Sequence, residues 1–278
     1  MSPLIEIEEL RSLTDHPIII DARAGADAQQ RYLAGHLKGA QFADLDRDLA
    51  VKPKDATYGG RHPLPPIETF AKRLGDWGIT PDSHVIVYDD KAAAFGGARL
   101  WWMLRAIGHK NVQVLNGGLK AAIDAGITLS TETYTTQPVA PYPVPADYSG
   151  TVNIEEAGAA AKDVQKMVID VRETPRYLGQ TEPIDLIAGH IPGAVNLPYT
   201  LNLDETGKYK SPDELKTTYE KLFANINPDE VIVHCGSGVT ACHTLLGMNY
   251  AGIESPKLYV GSWSEWSRRD LPIATDQR

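Results

Sequence analysis

Residues 231 to 248 read VIVHCGSGVTACHTLLGM. Val231, Ile232 and Val233 form a short β-branched run, which predicts a buried strand, and Thr240 through Met248 carry a helical pattern. Cys235 therefore stands where a strand gives way to a helix, with Gly236 and Gly238 in the turn between them. Unpaired N–H groups at a helix start, together with the helix dipole, favour a negative charge and hence a thiolate. The junction makes Cys235 a candidate nucleophile.

Working outward, 278 residues with 42% hydrophobic and 23% charged side chains are ordinary globular material, long for a single core, so two domains are expected. A formal net charge of −9 argues against nucleic acid or an anionic membrane as partner, since phosphate binding requires a basic surface. Small anionic substrates stay open, because they respond to local charge. Cys235 and Cys242 are the only cysteines, so a disulfide framework is implausible and a reducing compartment fits better. The N-terminal MSPLIEIEELRSLTDHPIII lacks a signal-peptide pattern and no apolar run is long enough for a membrane span. The expectation is a soluble, cytoplasmic protein.

The chain also repeats itself. IIIDARAGADAQQRYLAGHLKGAQF from Ile18 matches VIDVRETPRYLGQTEPIDLIAGHIPGAVNL from Val168, each with an Asp-x-Arg and then a Gly-His-x-x-Gly-Ala turn. VIVYDD from Val85 answers VIVHCG from Val231, and QVLNGGLKAAIDAGI from Gln113 answers KLYVGSWSEWSRRDLPI from Lys257. Between the halves, TETYTTQPVAPYPVPADYSG from Thr131 has neither strand nor helix period and reads as a connector. Short buried strands alternate with helical stretches at 96–109 and 211–226, which predicts two α/β domains, each with a mainly parallel sheet flanked by helices. The expected division is a first domain over 1–130, a connector over 131–150 and a second domain over 151–278. Aligning the halves puts Asp89 where the second has Cys235, so one reactive site per chain is expected, in the second domain.

These motifs resemble the tandem-domain rhodanese-like sulfurtransferases, whose first domain is non-catalytic. The loop CGSGVTA, Cys235 to Ala241, is similar to that of 3-mercaptopyruvate sulfurtransferases, whereas thiosulfate sulfurtransferases place basic residues where this chain has Gly236 and Ser237. The resemblance implies that Cys235 carries a persulfide, with the sulfur cradled by backbone N–H groups of Gly236, Ser237, Gly238, Val239, Thr240 and Ala241. Glycines at 236 and 238 suit such a nest. It also implies a Ser237–His36–Asp27 relay that protonates the departing enolate, completed by the first domain across an interdomain cleft, and Arg176 as a clamp on the donor. The second clamping arginine of the family is missing, with Asp185 in its place, while RYLGQTEP is closer to the thiosulfate branch. On that reading Asp185 repels an anionic donor unless it points away, and Asp185→Arg lowers KM for mercaptopyruvate. The implied partners are 3-mercaptopyruvate or thiosulfate as donor, with thioredoxin, small thiols or cyanide as acceptor, and no cofactor.

Plainer readings accompany several of these residues. Asp27 suits a helix start. His36 and His190 sit in equivalent turns, where an imidazole can simply fix a loop. Asp21–Arg23 and Asp170–Arg172 occur in both halves and read as structural ion pairs. Cys242 lies within a helix and packs, with a redox role as the alternative. Trp263 and Trp266 read as core or pocket-lining aromatics, and YGGRHPLP, Tyr58 to Pro65, as a segment that brings Arg61 or His62 to the site. A zinc centre from His234, Cys235 and His243 lacks a fourth ligand at a recognisable spacing. A cysteine phosphatase would need an arginine where this chain has Ala241. A non-catalytic interaction module is the remaining alternative.

Overall fold

The computed structural model describes residues 1–276 and divides into two compact units. The first comprises 1–51, 64–149 and 205–209, the second 52–63, 150–204 and, of the described residues, the stretch from 210 onward. Two short segments thus depart from a single cut near the connector: 52–63 belongs with the second unit and 205–209 with the first. The connector itself packs with the first unit up to residue 149.

The first unit holds a five-stranded parallel sheet in the order β1-β5-β4-β2-β3, from β1 (Leu4–Ile5), β2 (Ile18–Asp21), β3 (Gln41–Phe42), β4 (Val85–Tyr88) and β5 (Val112–Leu115). The second repeats the plan as β6-β10-β9-β7-β8, from β6 (Thr151–Val152), β7 (Met167–Asp170), β8 (Val195–Asn196), β9 (Val231–His234) and β10 (Lys257–Tyr259). All four residues of β4 and of β9 are buried. That explains their continuous apolar runs, because a central parallel strand is covered on both faces.

The helices follow the sequence signals closely. Gly96–Ala106 stops just before Gly108, and Pro212–Phe223 begins with Pro at its first position after a capping box formed by Ser211 and Glu214. The core of the second unit gathers Val168, Ile191, Ile232, Tyr259, Trp263 and Trp266 around the sheet. Among the described residues no helix is long and apolar enough to cross a membrane.

The repeated Asp-x-Arg motifs are buried braces. Arg172 grips Asp170 through Nε and Nη2 at 3.0 and 2.6 Å, donates to the Gly189 carbonyl at 2.6 Å, and lies 4.6 Å from the Trp263 ring centroid. Arg23 does the same to Asp21 and the Gly35 carbonyl. Each fixes the loop after its first long strand.

Candidate active site

β9 ends at His234, and the helix Ala241–Tyr250 begins six residues after Cys235, so the loop 235–240 closes the carboxyl end of a central strand. In open parallel sheets this is where ligands bind. Two further backbone bonds pin the start of the loop: the N–H groups of Trp263 and Ser264 donate to the carbonyls of Cys235 and Gly236 at 3.0 and 2.8 Å. The Cys235 N–H itself donates to Ser262 Oγ at 3.2 Å. Cys235 is buried, 2% exposed, so a reacting group must enter the loop to reach it.

Among the described residues the N–H groups of Gly236, Ser237, Val239, Thr240 and Ala241 donate to no protein acceptor. Buried unpaired donors are costly unless an anion takes them. The first unit shows what such a loop holds. There Asp89, at the position equivalent to Cys235, is fully buried and its carboxylate accepts from Lys91, Ala93, Phe95 and Gly97 N–H at 2.9, 2.8, 3.3 and 3.0 Å. Burial pushes this carboxyl up from its ordinary value while the four N–H groups pull against that rise.

The two loop glycines sit in different surroundings. Gly238 takes φ +73°, and a Cβ there would meet the Val260 carbonyl oxygen at 2.4 Å. Gly236 has no positive φ; a Cβ there would stand 3.1 Å from Arg61 Nη2, 3.4 Å from Asp185 Oδ2 and 3.6 Å from Arg176 Nη2, distances a small shift of the Arg61 head group relieves. Charged groups thus crowd the residue after the nucleophile. His234, one residue before it, is fully buried; burial pushes its imidazole below its ordinary value, and Nδ1 lies 3.1 Å from the Cys235 carbonyl.

The relay expected from Ser237, His36 and Asp27 is not the arrangement found. Ser237 Oγ is hydrogen-bonded to His62 Nδ1 at 2.7 Å. His36 has Nδ1 on the Tyr32 carbonyl at 2.8 Å and Nε2 on the Glu132 carbonyl at 3.0 Å, with its ring stacked on Tyr32. Both ring nitrogens are engaged by carbonyl oxygens, which leaves none for Asp27 or a serine. Asp27 instead precedes the helix Ala28–Ala34 and pairs with Arg31 at 3.1 Å. His190, in the matching turn, stacks on Tyr177 and binds its carbonyl at 2.8 Å, the loop-fixing role read for it from sequence.

His62 and Arg61 reach the site on residues 57–62, a strap of the second unit. Gly59 N–H donates to the Glu265 carboxylate at 3.0 Å, Arg61 N–H donates to Ser264 Oγ at 3.0 Å, and Arg269 stands 4.8 Å from the Tyr58 ring centroid. Gly60 has φ +75° and approaches so closely that a Cβ would meet the Gly261 carbonyl oxygen at 2.3 Å. These contacts aim both side chains at the loop.

Arg176 is buried and donates to Glu182 from Nε and Nη2 at 3.0 and 2.7 Å, with Nη2 also 3.2 Å from Asp185 Oδ2. Burial works against its charge, but Glu182 and Asp185 more than offset this and hold the guanidinium above its ordinary value. Burial likewise opposes the Glu182 carboxylate, yet Arg176 and the N–H groups of Asp185 and Ile184 hold it below the usual range. Cys242 is fully buried in the helix, its Sγ donating to the Gly238 carbonyl at 3.3 Å. Among the described residues no group of His, Cys, Asp or Glu is arranged to hold a metal ion.

The rhodanese-like domain family matches residues 6–125 and again 153–269. The chain belongs to the rhodanese-like family. It is 38% identical, over 98% of both chains, to a probable 3-mercaptopyruvate sulfurtransferase of Pseudomonas aeruginosa. It is 35% identical to the thiosulfate sulfurtransferase of Rattus norvegicus, over 88% of this chain and 82% of that one. The solved 3-mercaptopyruvate sulfurtransferase from Leishmania major superposes with a TM-score of 0.83 at 30% identity, covering 96% of this chain and 74% of that one. Both donor branches of the family are therefore represented among its relatives.

Proposed function

We propose that this protein is a sulfurtransferase that moves a sulfur atom from 3-mercaptopyruvate to a thiol, or to cyanide in vitro, through a persulfide on Cys235. The observation that carries the reading is the cradle of unpaired N–H groups around a buried cysteine, whose counterpart in the first unit holds a carboxylate. The Cys235 thiolate attacks the donor sulfur, the carbon–sulfur bond breaks, and its electron pair stays on carbon as the enolate of pyruvate. A proton then converts the enolate to pyruvate, and the Ser237–His62 pair at 2.7 Å is placed to deliver it. Finally an acceptor thiolate attacks the outer sulfur and Cys235 leaves as thiolate again.

The loop itself carries no cationic side chain, since Gly236 and Ser237 follow the cysteine, which favours mercaptopyruvate over thiosulfate. Thiosulfate is the second reading, supported by the RYLGQTEP stretch and by the similarity to the rat enzyme. The first unit, with Asp89 filling its own loop, serves as a non-catalytic module. Two free cysteines fit a cytoplasmic setting with thioredoxin or small thiols as acceptors. Parallel measurement of pyruvate and thiocyanate formed from mercaptopyruvate and cyanide tests the assignment. Equal amounts of both, with kcat/KM above that for thiosulfate, are expected, and a higher kcat/KM for thiosulfate would reverse the donor assignment.

A further inference from the structure

Ser262 holds a backbone conformation that serine disfavours. It is fully buried, opens the helix Ser262–Trp266, and has φ +54°, in the left-handed region that strains a residue with a Cβ and that glycine adopts freely. The first unit does use glycine there. In the matching turn, NGGLKAA from Asn116 against VGSWSEW from Val260, Gly118 stands for Ser262 and has φ +59°. Both turns make the same bond to the loop beside them: Leu119 N–H donates to the Asp89 carbonyl at 2.9 Å, and Trp263 N–H to the Cys235 carbonyl at 3.0 Å. A Cβ on Gly118 would meet that Asp89 oxygen at 2.4 Å, so the first turn admits no side chain, whereas the second has opened to take one. The chain bears this strain only in the unit that holds the cysteine.

What the serine adds is one hydroxyl, and it both donates and accepts. Oγ donates to the Tyr259 carbonyl at 2.8 Å and accepts the Cys235 N–H at 3.2 Å. The Tyr259 bond fixes the direction of the hydroxyl hydrogen and leaves a lone pair for Cys235. Cys235 is thereby held at both of its backbone polar atoms, the N–H by Ser262 and the carbonyl by Trp263. The two peptide planes that flank its Cα are then set, and with them the direction of the Cα–Cβ bond. The side chain offers no such hold, because among the described residues the Cys235 Sγ has no hydrogen-bond partner. Asp89 needs no hydroxyl, since four loop N–H groups anchor its own carboxylate.

We infer that Ser262 is a positioning residue for the nucleophile: its hydroxyl holds the Cys235 N–H and keeps the sulfur aimed into the cradle, and the left-handed backbone is retained for that bond. The inference rests on the reading of Cys235 as the sulfur carrier. It concerns the attack that both donors share, unlike the proton that the Ser237–His62 pair delivers for one of them.

Isotope labelling of the cysteine nitrogens gives the full chain two amide signals, and the Cys242 N–H, bonded to the Val239 carbonyl at 3.0 Å, is the internal reference. Wild type, Ser262→Gly and Ser262→Ala are compared, with melting temperature as a folding control. Hydrogen exchange at Cys235, relative to Cys242, should be about tenfold faster or more in both variants. Persulfide formation in a single turnover at saturating donor, followed by mass, should slow roughly tenfold or more, by similar factors with mercaptopyruvate and thiosulfate, while steady-state KM changes little. Ser262→Gly separates positioning from folding, because glycine is at ease at this φ: it should melt closer to wild type than Ser262→Ala and still take up sulfur slowly. Persulfide formation within about twofold of wild type in Ser262→Gly, or rate losses that track the melting temperatures of the two variants, would overturn the inference. In the wild type alone, a Cys235 amide that exchanges as fast as an unprotected peptide would overturn it even if neither variant folds. No sulfur on Cys235 from either donor, with the exchange result intact, would remove the assignment of function and leave Ser262 as the residue that holds Cys235.

Discussion

Replacing Gly60 by alanine touches no reacting group, yet it should disable the site. The added Cβ would stand 2.3 Å from the Gly261 carbonyl oxygen and 2.6 Å from Ser264 Oγ, at a backbone with φ +75°. Relief to an ordinary van der Waals contact requires a retreat of about 1 Å. The left-handed backbone costs a residue with a Cβ roughly 1 kcal/mol. Loss of the Arg61 N–H to Ser264 bond contributes about 1 kcal/mol, and loss of the Gly59 N–H to Glu265 carboxylate bond about 2 kcal/mol. The seated strap is therefore disfavoured by roughly 3 to 4 kcal/mol. A displacement of about 1 Å in a positioning element lowers turnover on the order of a hundredfold. Steady-state pyruvate release from mercaptopyruvate measures the loss. The same loss falls on the folded state, so the melting temperature should drop by several degrees while the sheets stay folded. Activity within about twofold of wild type would show that the strap does not position the chemistry.

His62→Ala should slow mercaptopyruvate turnover by roughly a hundredfold while thiosulfate turnover falls much less, since sulfite leaves without an enolate to protonate; equal losses would make His62 a loop support. His36→Ala should lower the melting temperature without any preference between donors, as judged by calorimetry beside both assays. Glu182→Gln should be less stable than wild type at neutral pH. The Glu182 carboxyl lies below its unfolded value in the folded chain, so its contribution is present above the ordinary carboxylate range and fades as pH falls through the folded value. Denaturant unfolding of both proteins across the acid range should therefore show the gap closing as pH drops.

Much of this molecule is legible in one dimension because its decisive signals are local. Val231–Val233 are buried on both sheet faces and so form an uninterrupted apolar run, and the turn to the helix follows at once, which fixes the address of Cys235. The repeat locates the equivalent Asp89, although the four N–H groups that hold its carboxylate become visible only in three dimensions. The histidine that bonds Ser237 is His62, not the His36 that the sequence suggests, for a related reason. The matching Gly-His turns drew the reading to His36, but that turn recurs because stacking on Tyr32 or Tyr177 and a carbonyl bond stabilise it in both halves. His62 sits in an aperiodic strap held by single contacts to Gly261, Ser264 and Glu265, none of which leaves a spacing pattern. The signal available was YGGRHPLP itself, with paired glycines beside a basic pair. Asp185 shows the same limit: its distance along the chain from Arg176 is readable, but its burial among guanidiniums from residues 61, 176 and 268 is not.

The most direct measurement is intact mass of the full chain after incubation with 3-mercaptopyruvate and removal of small molecules, followed by peptide mapping. The account predicts a gain of one sulfur atom, mapped to the peptide containing Cys235, removed by a thiol acceptor and absent in Cys235→Ser with Cys242 intact. A sulfur retained in Cys235→Ser, or mapped to Cys242 in the wild type, would contradict it.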